Sequence, residues 1–207
     1  MQADQKKMPL VAAMLKYKKE QVYPFHTPGH KGGRGMEPLL AGELGAGALQ
    51  MDVSLMAELD DIHCPEGCIA AAQTLAAQLY GSDRCFFAVN GTTQAIQAML
   101  MTAVKPGGKV LIPRNAHRSV AGGLLLGDLE PVYVLPQFDA VFGINTQVTA
   151  GQIEEALQKD PSIKAVFLTS PNYYGQAADI KTIAQIAHKY GCLLYTSPSP
   201  RDPKTSR

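Results

Sequence analysis

This chain carries almost no net charge. Its 19 basic and 18 acidic residues leave +1 over 207 residues. No global field therefore attracts a nucleic-acid backbone or an anionic lipid surface, and neither is expected as a partner. Cysteine is scarce: Cys64, Cys68, Cys85 and Cys192 sit at irregular spacings. Cys64 and Cys68 lie beside His63 in "HCPEGC", but a structural zinc site needs a second such pair and none follows. Free thiols of a cytoplasmic protein are the expected state. His26 and His30 of "HTPGH" have i, i+4 spacing, yet the Pro-Gly between them breaks the helix that would aim both at a metal. No apolar run approaches the length needed to cross a bilayer. "PLVAAML" is short and meets Lys16, Lys18 and Lys19 at once, which suits an amphipathic helix better than a signal peptide. Two familiar phosphate signatures are also missing, the Gly-Lys-Ser/Thr of a Walker loop and the G-x-G-x-x-G of a dinucleotide site.

What is present is an ordinary globular composition, 46% hydrophobic and 18% charged. Its length suits one domain with extensions, or part of something larger. Residues 1–59 read as a helix over Met8–Glu20 and a Gly/Pro-rich arm, "YPFHTPGHKGGRGMEP", before a weakly helical stretch. From Asp60 the pattern sharpens. In "EGCIAAAQTLAAQLYG", Ile69, Ala72, Ala76 and Leu79 recur at helical spacing up to Gly81. "RCFFAV" (Arg84–Val89) reads as a strand, "GTTQAIQAMLMTAV" as a helix with Ile96, Met99, Leu100 and Ala103 inward, and "KVLIP" as a strand. "AHRSVAGGLLLG" (helix), "EPVYVL" (strand) and a helix capped by Thr149 and Gln152 follow. "IKAVFLTS" is the next strand, and Asp179 caps a helix that turns Ile183, Ile186, Ala187 and Tyr190 inward before "GCLL" opens another strand. Strands alternate with helices, and the strands are continuously apolar. That predicts an α/β domain over residues 60–194, a mostly parallel sheet with helices on both faces. The tail from 195 to 207, ending "YTSPSPRDPKTSR", has no apolar period. It looks like translated adapter sequence and is expected to be non-native and disordered.

In an open parallel sheet, ligands bind outside the carboxyl ends of the strands. Three polar turns fall there: "NGTTQ", "PRNAHRS" and "SPNYYG". In the first, Gly91 admits close backbone approach, while a helix N-terminus and two hydroxyls supply donors for an anion such as phosphate. Simple N-capping by Asn90 or a threonine explains the same residues equally well. His117, on the same edge, suits either a helix cap or a flat face against a heterocycle that also exchanges protons. "GHKGGRG" follows no strand and opens no helix, so it reads as a flexible arm.

Five segments in one order, "FHTPGHKGG", "LDDIHCPEG", "FFAVNGTTQA", "PRNAHRSV" and "SPNYYG", resemble the Orn/Lys/Arg decarboxylase family over about Tyr23–Leu194. The resemblance implies a pyridoxal 5'-phosphate (PLP) enzyme of the aspartate-aminotransferase fold, here an incomplete large domain of fold type I preceded by the helix and arm. It implies that Gly91, Thr92 and Thr93 hold the cofactor phosphate, that His117 stacks on the pyridine ring, and that Asn172 lies near the ring hydroxyl. The family's residues beside that histidine are a small residue or Cys before it and Lys after it; here they are Ala116 and Arg118. The family's pyridine-nitrogen Asp and Schiff-base Lys belong to D-E-A-H-G-like and S-x-H-K-like stretches that do not occur in the chain. The implied activity is decarboxylation of arginine or lysine, with ornithine possible, by a homodimer when complete, and inactivity of these 207 residues alone. The rivals are an aminotransferase or aldolase of the same fold, and a non-catalytic phosphate-ligand or partner-binding module.

Overall fold

The computed structural model describes residues 4–56 and 58–197. The chain divides into two compact units, Met1–Phe87 and Ala88–Arg207.

In the first unit, α1 (Pro9–Glu20) starts with Pro at its first helical position, where the missing N–H has no intrahelical use. The arm that follows contains only a short 3-10 turn at Lys31–Gly33. Two brief helices, α2 (Pro38–Leu44) and α3 (Ala46–Leu49), are separated by Gly45 at φ 79°. α4 (Cys68–Tyr80) packs against α1 and buries Ile69 and Ala77. Leu79 is 56% exposed, because it lies about 200° around the helix from buried Ala77.

The residue preceding α4, Gly67, has no side chain with which to cap it. Asp60 supplies the cap from a distance. Its carboxylate accepts N–H bonds from Glu66, Gly67, Ile69, Ala70 and Asp61 at 2.8–3.3 Å. These donors, Glu66 foremost, hold its pKa well below the usual carboxylate range. The "LDDIHCPEG" segment thus folds around one carboxylate that satisfies the orphan donors of a helix start.

The second unit is the α/β layer. α5 (Gly91–Ala103) precedes β1 (Lys109–Pro113); α6 (Arg118–Gly127) leads to β2 (Glu130–Val134). A small antiparallel hairpin, β3 (Phe138–Asp139) with β4 (Ile144–Asn145), precedes α7 (Ala150–Lys159), β5 (Ile163–Thr169), α8 (Ile180–Lys189) and β6 (Leu193–Ser197). The parallel sheet has the order β2-β1-β5-β6. Alternate residues of each central strand serve opposite faces. Leu111, Val166 and Leu168 pack with Ile153 and Leu157 of α7 and Ile183 and Ala187 of α8. Val110, Ile112, Ala165 and Phe167 pack with Ile96 and Leu100 of α5 and Val120 and Leu124 of α6. The expected α/β sheet with helices on both faces is therefore present. The capping box at Thr149 and Gln152 forms as read from the sequence.

Three local readings need correction. Arg84–Val89 forms no strand: a strand exists only by pairing, and no described segment pairs with it. Phe86 and Val89 are 76% and 75% exposed. The β3–β4 hairpin was not anticipated; Asp139 accepts N–H bonds from Val141 and Phe142 and closes its turn before Gly143 at φ 66°. The last strand runs on to Ser197, beyond the expected loss of pattern at 195, because β5 offers backbone partners as far as Thr169. Residues 198–207 of the expected disordered tail lie outside the described residues. Among the described residues no helix is long and apolar enough to cross a membrane.

One ion pair ties β1 to the end of α7: Lys109 Nζ donates to Asp160 Oδ2 at 2.8 Å. The Lys109 ammonium, then the Ser162 hydroxyl and N–H, hold the Asp160 carboxyl from an ordinary 3.8 down to about 2. A folded value below the unfolded one means that this pair stabilises the fold above about pH 4 and ceases to as pH falls toward 2. Asp160→Asn should lower stability at pH 7 and shrink the pH dependence between 4 and 2, read as the difference from wild type in urea midpoints. Parallel curves for the two proteins would overturn this.

Candidate functional site

Two helices bring their N-termini to the carboxyl edge of the sheet. α6 follows β1 directly, so its first turn must lie there. α5 ends at Ala103 and β1 begins at Lys109, so the turn between them lies at the amino edge. A helix of 13 residues spans about 20 Å, enough to carry its N-terminus back past the length of β1. Close approach keeps the two helices side by side. A Cβ at Gly123 of α6 would sit 2.6 Å from Leu100 Cδ1 and 3.4 Å from Gln97 Cα of α5. Each N-terminus presents unpaired N–H groups and about half a positive charge.

Gly91 opens α5 at φ 70°, and a Cβ there would meet no atom within 4 Å. The space before this backbone is open, and Gly91, Thr92 and Thr93 are exposed. Asn90 does not cap α5 through its side chain; its N–H donates to Gln94 Oε1 at 2.9 Å. Simple capping by the Asn90 side chain is thus not what this turn does, and among the described residues no side chain caps the first donors of α5.

His117 is the N-cap of α6. Its Nδ1 accepts the Ser119 N–H at 3.2 Å and lies 2.9 Å from Ser119 Oγ. A neutral imidazole accepting at Nδ1 carries its proton on Nε2. Cap and exposed imidazole are one arrangement, so the two readings of His117 are compatible. Ser119, 3% exposed, was missed by the sequence reading; its position two residues after a candidate cap was the available signal. Arg114 was missed as well. It follows β1 directly, and its guanidinium lies 5.3 Å from the Tyr133 ring centroid, adding a cation to the same edge.

Asn172 sits in the turn after β5, behind the cis Ser170–Pro171 bond, and is 6% exposed. Its Oδ1 accepts from Tyr174 N and Gln176 N, both at 3.0 Å. Its Nδ2 donates to Gln176 Oε1 and Asn145 O at 3.3 and 3.4 Å. Gln147 Nε2 adds bonds to Thr169 O and Gln176 O. Asn172 therefore organises this turn at the site's edge, with both ends of its amide engaged by the protein.

The lysines of this unit mostly lie elsewhere. Lys105 and Lys109 flank the amino edge, Lys164 is the second residue of β5, and Lys159 and Lys189 end α7 and α8. Lys181, by contrast, sits in the first turn of α8, a helix that opens from the ligand edge.

The family model for the Orn/Lys/Arg decarboxylase major domain matches residues 8–197. The chain is 39% identical over 182 residues to an arginine decarboxylase of Bacillus cereus, covering 88% of this chain and 40% of that protein. It is 38% identical over 186 residues to the arginine decarboxylase of Bacillus subtilis, covering 90% and 38%. The chain thus spans about two fifths of the length of these curated relatives. It is 30% identical to a lysine decarboxylase of Hafnia alvei over 165 residues, 74% of this chain and 22% of that one. Among solved structures, the constitutive lysine decarboxylase of Escherichia coli matches with a TM-score of 0.68 at 29% identity, over 81% of this chain and 25% of that chain. The lysine decarboxylase of Francisella novicida shares the fold at a TM-score of 0.81 and 24% identity, over 95% and 29%.

The left-handed backbone at Gly91 gives a direct test. A β-branched residue at φ 70° is strained by about 1–2 kcal/mol, whereas Asn tolerates this region. Gly91→Val should lower unfolding free energy by that amount and Gly91→Asn by clearly less, in urea titrations. Equal effects would mean that the conformation at 91 is not as described.

Proposed function

Because this chain belongs to the Orn/Lys/Arg decarboxylase family, we propose that it forms the cofactor-phosphate seat and ring face of a PLP-dependent basic amino-acid decarboxylase. The observation that carries the proposal is the open backbone at Gly91, where an α5 N-terminus without a side-chain cap shares a sheet edge with the imidazole of His117. The residues fit the cofactor. The N–H groups at the start of α5 and the hydroxyls of Thr92 and Thr93 would bind its phosphate dianion. His117, held through Nδ1 by Ser119, would offer a fixed flat face to its pyridine ring. Asn172 would keep the turn beside the ring in shape. Bound PLP supplies the electron sink that makes loss of CO₂ from an amino acid possible.

Arginine is the favoured substrate of the whole protein, since the relatives near 39% identity are named arginine decarboxylases and the lysine decarboxylase of Hafnia alvei stands at 30%. A cytoplasmic homodimer is the proposed working form, with the arm around His26–Arg34 at its interface or active-site entry. The 207-residue chain itself is proposed to be inactive, since the Asp and Lys that the family's chemistry requires belong to stretches it does not contain.

Purified 207-residue chain should bind PLP by equilibrium dialysis, and Thr92→Val with Thr93→Val should weaken binding at least tenfold. His117→Phe should bind more tightly than His117→Ala, because only Phe keeps a ring face. The chain should release no CO₂ from arginine, lysine or ornithine, whereas the full-length protein should release it from arginine. Unchanged affinity in the threonine double variant overturns the phosphate seat, and CO₂ from the 207 residues overturns their inactivity. Amino transfer without CO₂ by the full-length protein overturns the decarboxylase reading.

A further inference from the structure

The first unit holds a cavity of about 640 Å³ bounded by α1, the arm and the segment after α3. That volume is the size of a small-molecule site. Its charged lining is one-sided: Lys18, Lys19, Lys31 and Arg34 face it against the single acid Asp52. Asp52 is already engaged, 3.1 Å from His30 Nε2. Lys18 and Lys19 make no ion pair among the described residues. Gathering four cations around one concavity raises a positive potential that favours a counter-anion.

The cavity is also held in shape. Arg34 lies 4.8 Å from the Tyr23 ring centroid, which fixes a charge that would otherwise sample many rotamers. Lys31 Nζ donates to His26 O. His26 Nδ1 lies 2.5 Å from Thr27 O, so it is the donor there, and Nε2 accepts from the buried Tyr17 hydroxyl at 2.8 Å. That chain of bonds runs from α1 into the arm and makes the "HTPGHKGG" stretch a built wall. Val22, Pro24 and Leu49 add an apolar surface to the same lining.

We propose that this cavity of the first unit binds a small organic polyanion, with two or more phosphate or carboxylate charges set on a compact body. Lys18, Lys19 and Arg34 would pair with its charges, and the apolar wall would cover its body. Because exposed cations contribute, affinity should fall as salt rises.

The probes are pyrophosphate and citrate, titrated calorimetrically into the 207-residue chain at low and high salt. One or both should bind, more weakly at high salt; a preference between them identifies phosphate or carboxylate as the recognised group. Lys19→Glu, on the exposed face of α1, and Arg34→Gln should each reduce affinity at least tenfold. Lys164→Glu in the second unit, and Thr92→Val with Thr93→Val, should leave it within twofold. Thermal midpoints establish that each variant folds; Lys19→Glu alone decides the matter if Arg34→Gln does not. Absence of binding by both probes, or affinity unmoved by Lys19→Glu, overturns the proposal. Loss of binding in the threonine variant assigns the anion to the Gly91 edge and overturns it equally.

Discussion

The geometry of the ligand edge depends on how closely α5 and α6 approach each other. Gly123 leaves room for Leu100 where any side chain would collide, and the pair jointly covers one face of the sheet through Ile96, Leu100, Val120 and Leu124. Burial of four such side chains is worth several kcal/mol by area, so the two helices are fixed by the core rather than by the site. Their N-termini inherit that rigidity. A phosphate site made of backbone donors needs such support, because donors on a mobile loop would have to be ordered on each binding event.

The other half of the core works in the same way on the opposite face. α7 and α8 clamp Leu111, Val166 and Leu168, and their C-termini place Lys159 and Lys189 at the far edge of the sheet from the N-terminal turns. The sheet thus separates a donor-rich edge, with Arg114 beside it, from one where lysines pair with Asp160, Glu154 and Glu155. Polarity of this kind follows from parallel strands alone, since every crossover helix must run back against its strands.

Most of the second unit was legible in the sequence because its signals are local. Apolar runs of five to seven residues, capping residues at Thr149 and Asp179, and glycine stops fixed the elements and their inward faces. The readings that failed depended on distant partners. Arg84–Val89 has strand composition but gains strand structure only from a neighbour. Asp60 caps α4 from seven residues before Gly67, a relation that no spacing rule encodes. Asn172 was legible as part of the turn after β5, while its service to that turn required the positions of Gln176 and Asn145. Gly91, Thr92 and Thr93 were readable as an exposed helix start because one motif holds the turn, the helix start and both hydroxyls together.

The segment Arg84–Val89 has a consequence for handling the molecule. Two adjacent phenylalanines and a valine, exposed and outside any strand ladder among the described residues, form an adhesive ribbon. In a concentrated sample the nearest source of matching backbone is the same ribbon on another copy. Pairing of that kind adds strands without a natural limit, so shelf life would be governed by concentration rather than by the melting temperature of either unit.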